Sequence, residues 1–269
     1  MDNTRLLVCL GEDYARLRGL ATLDLNAEVP SCPGWTVADL VRHVAEVYLH
    51  KATTMRAGRW PSPWPPPELA AEPPIALLER AFAALTDEFA DRSPGDAALT
   101  WHGPDQTVGF WIRRMAQETV IHRIDAELAL GEQSAPISDD LAIDGIDEVL
   151  KLFLGYGSRA WADELGPVLG NARSHTIAVR VDSAGWLVRT GPGGVDVADV
   201  GAGGDAAVHG GAGAGGDAGA GADAIVAGPP VAVLRWLWAR EADGPTAVEI
   251  RGEDAAVDQL RRLLVAVTQ

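Results

Sequence analysis

The stretch QETVIHRIDAELALG, residues 117–131, decides how the chain is read. Its Val, Ile, Ala and Leu residues recur at helical spacing and Gly131 is a natural C-terminal stop, so it reads as the end of a helix that starts near Val108 or Gly109. Within it Glu118, His122 and Asp125 stand four and three residues apart, which lines all three side chains on one stripe. A carboxylate, an imidazole and a second carboxylate in line make either a solvated face or half of a metal site.

Three more helices precede it. Residues 4–22 carry apolar positions at helical spacing behind Thr4, and a second helix runs from Val37 to about Arg56, with Thr36 as N-cap and Asp39 three residues on, near the capping-box pattern. A third is plain over 75–91. Residues 59–74, RWPSPWPPPELAAEPP, hold too much proline for a helix interior or a central strand and read as a stiff loop. Trp60 and Trp64 in that loop either pack on the surface or form a lid over the mouth of the bundle. Four long helices with mostly short connections imply an antiparallel four-helix bundle, from which SDDLAIDGIDEVLKLFLGYG leads out as one more helix, placing the domain at residues 1–160.

From about residue 174 the period changes. SHTIAVRVD, GWLVRT, GVDVADV and TAVEIR read as strands with glycine-containing turns, while GPPVAVLRWLWARE and GEDAAVDQLRRLLVAV read as helices. The expected second domain, residues 161–269, is a small α+β unit. Residues 201–224, almost wholly Gly, Ala and Asp, cannot bury a core and read as an insertion between strands. They lack the spacing and the Lys-Ser/Thr of a phosphate cradle.

Composition narrows the function. The chain has 269 residues, 47% of them apolar, enough for two cores, and a formal charge of −16 that leaves no basic stripe for nucleic acid. No apolar run approaches membrane-spanning length, two cysteines are too few for a disulfide framework, and no leader is evident, so a cytoplasmic setting is expected.

His43, Glu46 and His50 share one face of the second helix and echo the later stripe. Glu-x-x-x-His occurs at 46/50 and 118/122, against roughly 0.3 occurrences for random placement. Bundles build metal sites from such facing helices, and an imidazole and a carboxylate at i and i+4 can converge on one divalent ion while a third ligand leaves a position open. Asp125 would then orient a ligand from behind. Arg113 and Arg114, one turn before Glu118, either meet solvent or an acid, or receive the carboxylate of a substrate. Cys32 reads as a small apolar filler, with a reactive thiol as the less favoured alternative.

VPSCPGWTVADLVRHV, TVGFWIRRMAQETVIHRIDAELALG, DGIDEVL and GPPVAVLRWLWARE together resemble the mycothiol-dependent maleylpyruvate isomerase family over nearly the whole chain outside the Gly/Ala insertion. The resemblance implies a DinB-like metal-binding bundle followed by a small sterol-carrier-like α+β domain. It further implies that a divalent metal, zinc above all, is held by His43, Glu118 and His122. Tyr48 stands where the family often has a further histidine, and only His175 remains of a His-x-His in the first strand. The implied activity uses mycothiol as co-substrate: its thiolate adds to a small electrophile, giving cis/trans isomerisation of a maleylpyruvate-like compound or transfer of the thiol. Two other readings use the same residues, a non-catalytic metal- or small-molecule-binding module and a two-metal carboxylate oxidase. The second lacks the Glu-x-x-His spacing of such bundles.

Overall fold

The computed structural model describes residues 1–201, 221–241 and 247–268. The chain divides into two compact units, Met1–Pro136 and Ile137–Gln269.

The first unit is helical: α1 (Asn3–Ala21), α2 (Val37–Ala57), α3 (Pro74–Ala90) and α4 (Val108–Leu130). Local chemistry sets the ends. The α1 cap is Asp2, whose carboxylate accepts from the Arg5 N–H. Thr36 and Asp39 close a full capping box on α2, Thr107 caps α4, and Gly58 and Gly131 end α2 and α4 in the left-handed region.

The helix directions follow from their contacts. Asp13 and Arg16 on α1 meet Arg123 and Glu127 on α4 in the same order, so these helices run parallel. Arg42 near the start of α2 donates to the carbonyls of Leu69 and Glu72, just ahead of α3, while Arg56 at its end meets Glu88 at the end of α3. Hence α2 and α3 also run parallel, and the bundle is up-down-down-up rather than the all-antiparallel arrangement expected. The proline-rich loop explains the difference: it must return along an α2 of 21 residues, ~30 Å, which extended proline-rich chain can span. A short 3-10 helix, Pro67–Ala71, lies within it.

Leu6, Leu10 and Leu17 of α1, Leu40, Val41 and Val44 of α2, Leu77, Leu78 and Leu85 of α3, and Trp111, Val120 and Ile124 of α4 form the bundle core. The fourth helix is buried on nearly every side, including Arg114, Gln117, Arg123, Asp125 and Glu127. Polar groups at such depth need partners, and this requirement shapes the site.

The second unit begins earlier than the sequence suggested, at Ile137 instead of residue 161. Helix α5 (Asp139–Glu148) buries Leu141, Ala142 and Ile146 and packs on α8 (Pro230–Leu237). A π-helical continuation, Val149–Tyr156, packs on β3 (Gly194–Val200) and α9 (Asp254–Val267), so this stretch belongs to the second core. Short α6 (Gly157–Ala160) and α7 (Ala162–Leu169) follow, the latter with Pro167 inside it. The remaining strands are β1 (His175–Val181), β2 (Ala184–Gly191), β4 (Ala224–Ala227) and β5 (Glu249–Gly252). The sheet order is β3-β2-β1-β4-β5, antiparallel except for the parallel β1–β4 pair. Strand β4 begins where the sequence reading ended its insertion; most of that insertion lies outside the described residues. Gly252 is required where it stands, at φ +101, because a Cβ would fall 2.2 Å from the Asp223 carbonyl oxygen.

Candidate metal centre

Helices α2 and α4 run antiparallel, which brings His43 level with His122 and Lys51 level with Trp111. Residues 28–36 set up the near end. Gly34, at φ +84, turns the chain so that the Val29 N–H reaches the Trp35 carbonyl, Trp35 packs against His43 at 5.0 Å between ring centroids, and Thr36 starts α2. The SCPGWT segment is therefore a bracket that aims His43.

Three donors converge. His43 Nε2 and His122 Nε2 each lie 3.3 Å from the same oxygen, Glu118 Oε1, and one donor atom from each residue falls within 4.8 Å of the others. The rings of His43 and His122 meet edge to face at 5.1 Å. Donors of a tetrahedral zinc site with bonds of ~2.0–2.1 Å lie about 3.4 Å apart, so two of the three edges match and a single divalent cation can be held. The His43 side chain is 39% exposed while those of Glu118 and His122 are 12%, which leaves the open side of the cluster next to His43.

The flanking groups hold this triad. Arg114 donates to the other Glu118 oxygen, Oε2. Burial pushes the Glu118 carboxyl up, but Arg114, His122 and His43 outweigh it and hold the group well below the usual carboxylate range. His122 Nδ1 meets Asp125 Oδ2 at 2.9 Å, which leaves Nε2 to face Glu118 and His43. Burial disfavours the imidazolium of His122, yet Glu118 and Asp125 together raise its pKa to about 9. Asp125, fully buried, accepts from the Ser31 hydroxyl at 2.5 Å and lies 3.8 Å from Cys32 Sγ.

The sequence-singled residues divide cleanly. His43, Glu118 and His122 come together, Asp125 stands behind His122, and Arg114 grips Glu118. Arg113 does not join them; its charge acts on His102 instead. Glu46 is half-buried and outside the donor cluster. His50, also outside it, stacks on Trp60 at 5.6 Å and meets Trp64 edge to face at 5.0 Å, so the tryptophan loop packs down against α2. Two residues beside the stripe were not singled out. Nothing in the sequence marked Ser31 as a partner of Asp125. Lys51 did carry a signal, as one of only two lysines among 22 basic residues.

Residues 10–127 match the family described as the mycothiol maleylpyruvate isomerase N-terminal domain. Two solved structures share the fold: the mycothiol-dependent maleylpyruvate isomerase, with a TM-score of 0.59, and its variant with one histidine replaced by alanine, with 0.60. Each is 17% identical, over 94% of this chain and 95% of that chain. No curated protein matches the chain in sequence.

Proposed function

From the premise that the helical domain of this chain belongs to the mycothiol maleylpyruvate isomerase N-terminal domain family, we propose a metal- and thiol-dependent enzyme that joins a thiolate to a small electrophile. His43, Glu118 and His122 are the proposed ligands of a divalent metal, with zinc the first candidate because two imidazoles and a carboxylate suit it. The single observation that carries this reading is that two imidazole nitrogens stand 3.3 Å from one carboxylate oxygen, with the cluster open beside His43.

A bound divalent metal supplies Lewis acidity, which converts a thiol with a pKa of about 8.5 into thiolate at neutral pH. The chain's own residues prepare for this. Arg114 keeps Glu118 ionised, and Asp125 fixes the His122 tautomer so that Nε2 faces the cluster. The His122 proton balances the Glu118 and Asp125 charges, and a divalent cation held here would take its place. Mycothiol, the co-substrate proposed from the family, would then add through sulfur to the double bond of a cis-enedioyl compound. As the S–C bond forms, the π pair passes to the conjugated carbonyl; rotation about the resulting single bond and return of the pair expel the thiolate and leave the trans isomer. A substrate with a leaving group would keep the sulfur, making the reaction an S-transfer.

The test takes purified protein through metal analysis and then through thiol-dependent turnover. One zinc per chain, removed by chelation together with cis/trans conversion of maleylpyruvate in the presence of mycothiol, is the expected result. Full conversion by chelated protein, or no metal binding after reloading, overturns the proposal.

No helix among the described residues is long and apolar enough to cross a membrane.

A further inference from the structure

Lys51 is a half-buried ammonium to which no described carboxylate hydrogen-bonds or pairs. The chain has just two lysines, and the other, Lys151, is held by Asp147 and Asp199 at 2.5 and 2.7 Å. Lys51 Nζ instead lies 4.9 Å from the centre of the Trp111 ring and 3.3 Å from His50 Nδ1. The nearest acid acting on it, Glu118, already spends its oxygens on Arg114, His43 and His122.

Trp111 and His50 flank the ammonium, and two further tryptophans pack on these rings. Trp60 meets Trp111 edge to face at 6.4 Å, and His50 lies against both Trp60 and Trp64. Trp60 is 39% exposed, so the rim of this alcove reaches solvent. His50 adds no charge of its own, since burial first and then Lys51 push its pKa down to about 4. The alcove lies two turns, roughly 10 Å, from the donor cluster along both helices: His43 to His50 on α2 and Glu118 to Trp111 on α4.

We propose that Lys51 anchors the carboxylate of a small, flat, conjugated electrophile whose apolar body rests on Trp60, Trp64 and Trp111, making this alcove the specificity-determining end of the site. An ammonium on an indole face with no carboxylate bonded to it is a receptor for an anion with an apolar body. Lys51 bears the mark of an unmet charge: burial lowers its pKa to about 8, Glu118 opposing this in part and Arg114 adding to it. The proposal deepens the functional reading above and rests on it for calling the ligand a substrate, while the alcove's binding chemistry is independent of the metal.

The probes are therefore sorbate, a flat conjugated carboxylate, and its neutral amide, titrated into chelator-treated and zinc-treated protein and followed by tryptophan fluorescence and calorimetry. The native chain is expected to bind sorbate about 10-fold or more tightly than the amide with the metal removed. Lys51→Met should bring sorbate to the amide's level, and Lys51→Arg should restore most of the difference. Melting curves of both variants confirm that they fold. Equal binding of acid and amide, no binding of either, or a Lys51→Met variant that keeps the preference overturns the anchor. Failure of the metal reading appears separately, as absent zinc uptake with the sorbate preference intact.

Discussion

Helix α4 carries two buried ionic clusters within ten residues, and they are built on opposite plans. At Arg123 and Glu127 the carboxylate receives the Arg123 guanidinium at 2.9 Å on both oxygens, Arg16 Nε at 3.2 Å, the Ser134 hydroxyl at 2.9 Å and the Ala135 N–H at 3.0 Å, while Asp13 sits 2.7 Å from Arg123 Nε. Both side chains are wholly buried. At Glu118 one oxygen is shared by two imidazole nitrogens from different helices, and His43, which supplies one of them, remains 39% exposed. The first cluster surrounds its Glu127 carboxylate with donors, although the buried Arg123 Nη2 makes no hydrogen bond among the described residues; the second leaves donor atoms pointing at a common space. A strut and a proposed ligand set use the same residue types, and the direction of the donor atoms separates them.

The contrast breaks most visibly at Arg123. Removing one partner of a buried ion pair leaves a charge without compensation and costs about 3–5 kcal/mol. Arg123→Met should therefore lower unfolding stability by that amount in denaturant titrations, while the folded fraction binds zinc with unchanged stoichiometry. Loss of zinc binding in folded Arg123→Met protein would merge the two clusters into one device. Replacing Glu127 by Leu in the same background should recover part of the stability, because the stranded carboxylate is then gone as well.

The second way to sharpen it is pH. In metal-free protein the His122 pKa is raised to about 9 from an ordinary 6.5, so its stabilisation is fully present below about 6.5 and is lost as pH rises through about 9. The loss is on the order of 3 kcal/mol. Lys51, with its pKa lowered to about 8, works the opposite way between about 8 and 10.5, so the comparison has to be native chain against His122→Gln, which should flatten the His122 component alone. The strut has its own window. Asp13 is raised to about 6, burial outweighing Arg123, so the stability tied to its proton is complete near pH 3.8 and is lost as pH rises through about 6. Asp13→Asn should change the slope only on that acid side.

How much of this was legible beforehand depends on the kind of contact. The Glu118/His122/Asp125 stripe was visible because helical periodicity fixes which side chains share a face; the same periodicity put His43 level with Glu46 and His50, and only the family resemblance singled His43 out. The capping pair Thr36 and Asp39 was visible because caps are local. Ser31 on Asp125, 94 residues away, was not, since a hydroxyl in a turn has no preferred distant partner. The parallel run of α2 and α3 escaped for a related reason: stiffness of the proline loop was readable, its direction of travel was not. Strand β4 was lost beside a Gly/Ala-rich stretch because four residues are too few to show a period. Arg113 and Arg114 were indistinguishable in sequence, although a 100° step sends one to His102 and the other to Glu118.

The next effect in size falls on the proposed ligand set. Glu118→Gln keeps the shape but removes the charge that both imidazoles share, and the zinc dissociation constant should rise beyond about 100-fold, above the range for groups that only orient a ligand. A competition titration with a chromogenic chelator reads it. The same variant should leave the strut intact, but it strands the buried Arg114 guanidinium and removes an acid that favours protonated His122, so its metal-free stability at pH 6 should fall as well.

Asp125 tests the boundary between the two plans, since it is as deeply buried as Glu127 yet belongs to the site. Its carboxylate is engaged by His122 Nδ1, the Ser31 hydroxyl and the nearby Cys32 thiol, so it behaves as a closed strut whose far end is the ring of a proposed ligand. Asp125→Asn retains a carbonyl oxygen for either His122 or Ser31 but gives up the charge that favours a proton on His122 Nδ1. Zinc affinity should fall about 10- to 100-fold, less than for Glu118→Gln. The His122 titration in metal-free protein, followed by its imidazole NMR resonances, should also move down from about 9, because one of the two acids that raise it is gone. A purely structural Asp125 would lower stability and leave both readouts where they were. Movement of the titration together with the affinity would place the carboxylate inside the metal centre's electrostatics.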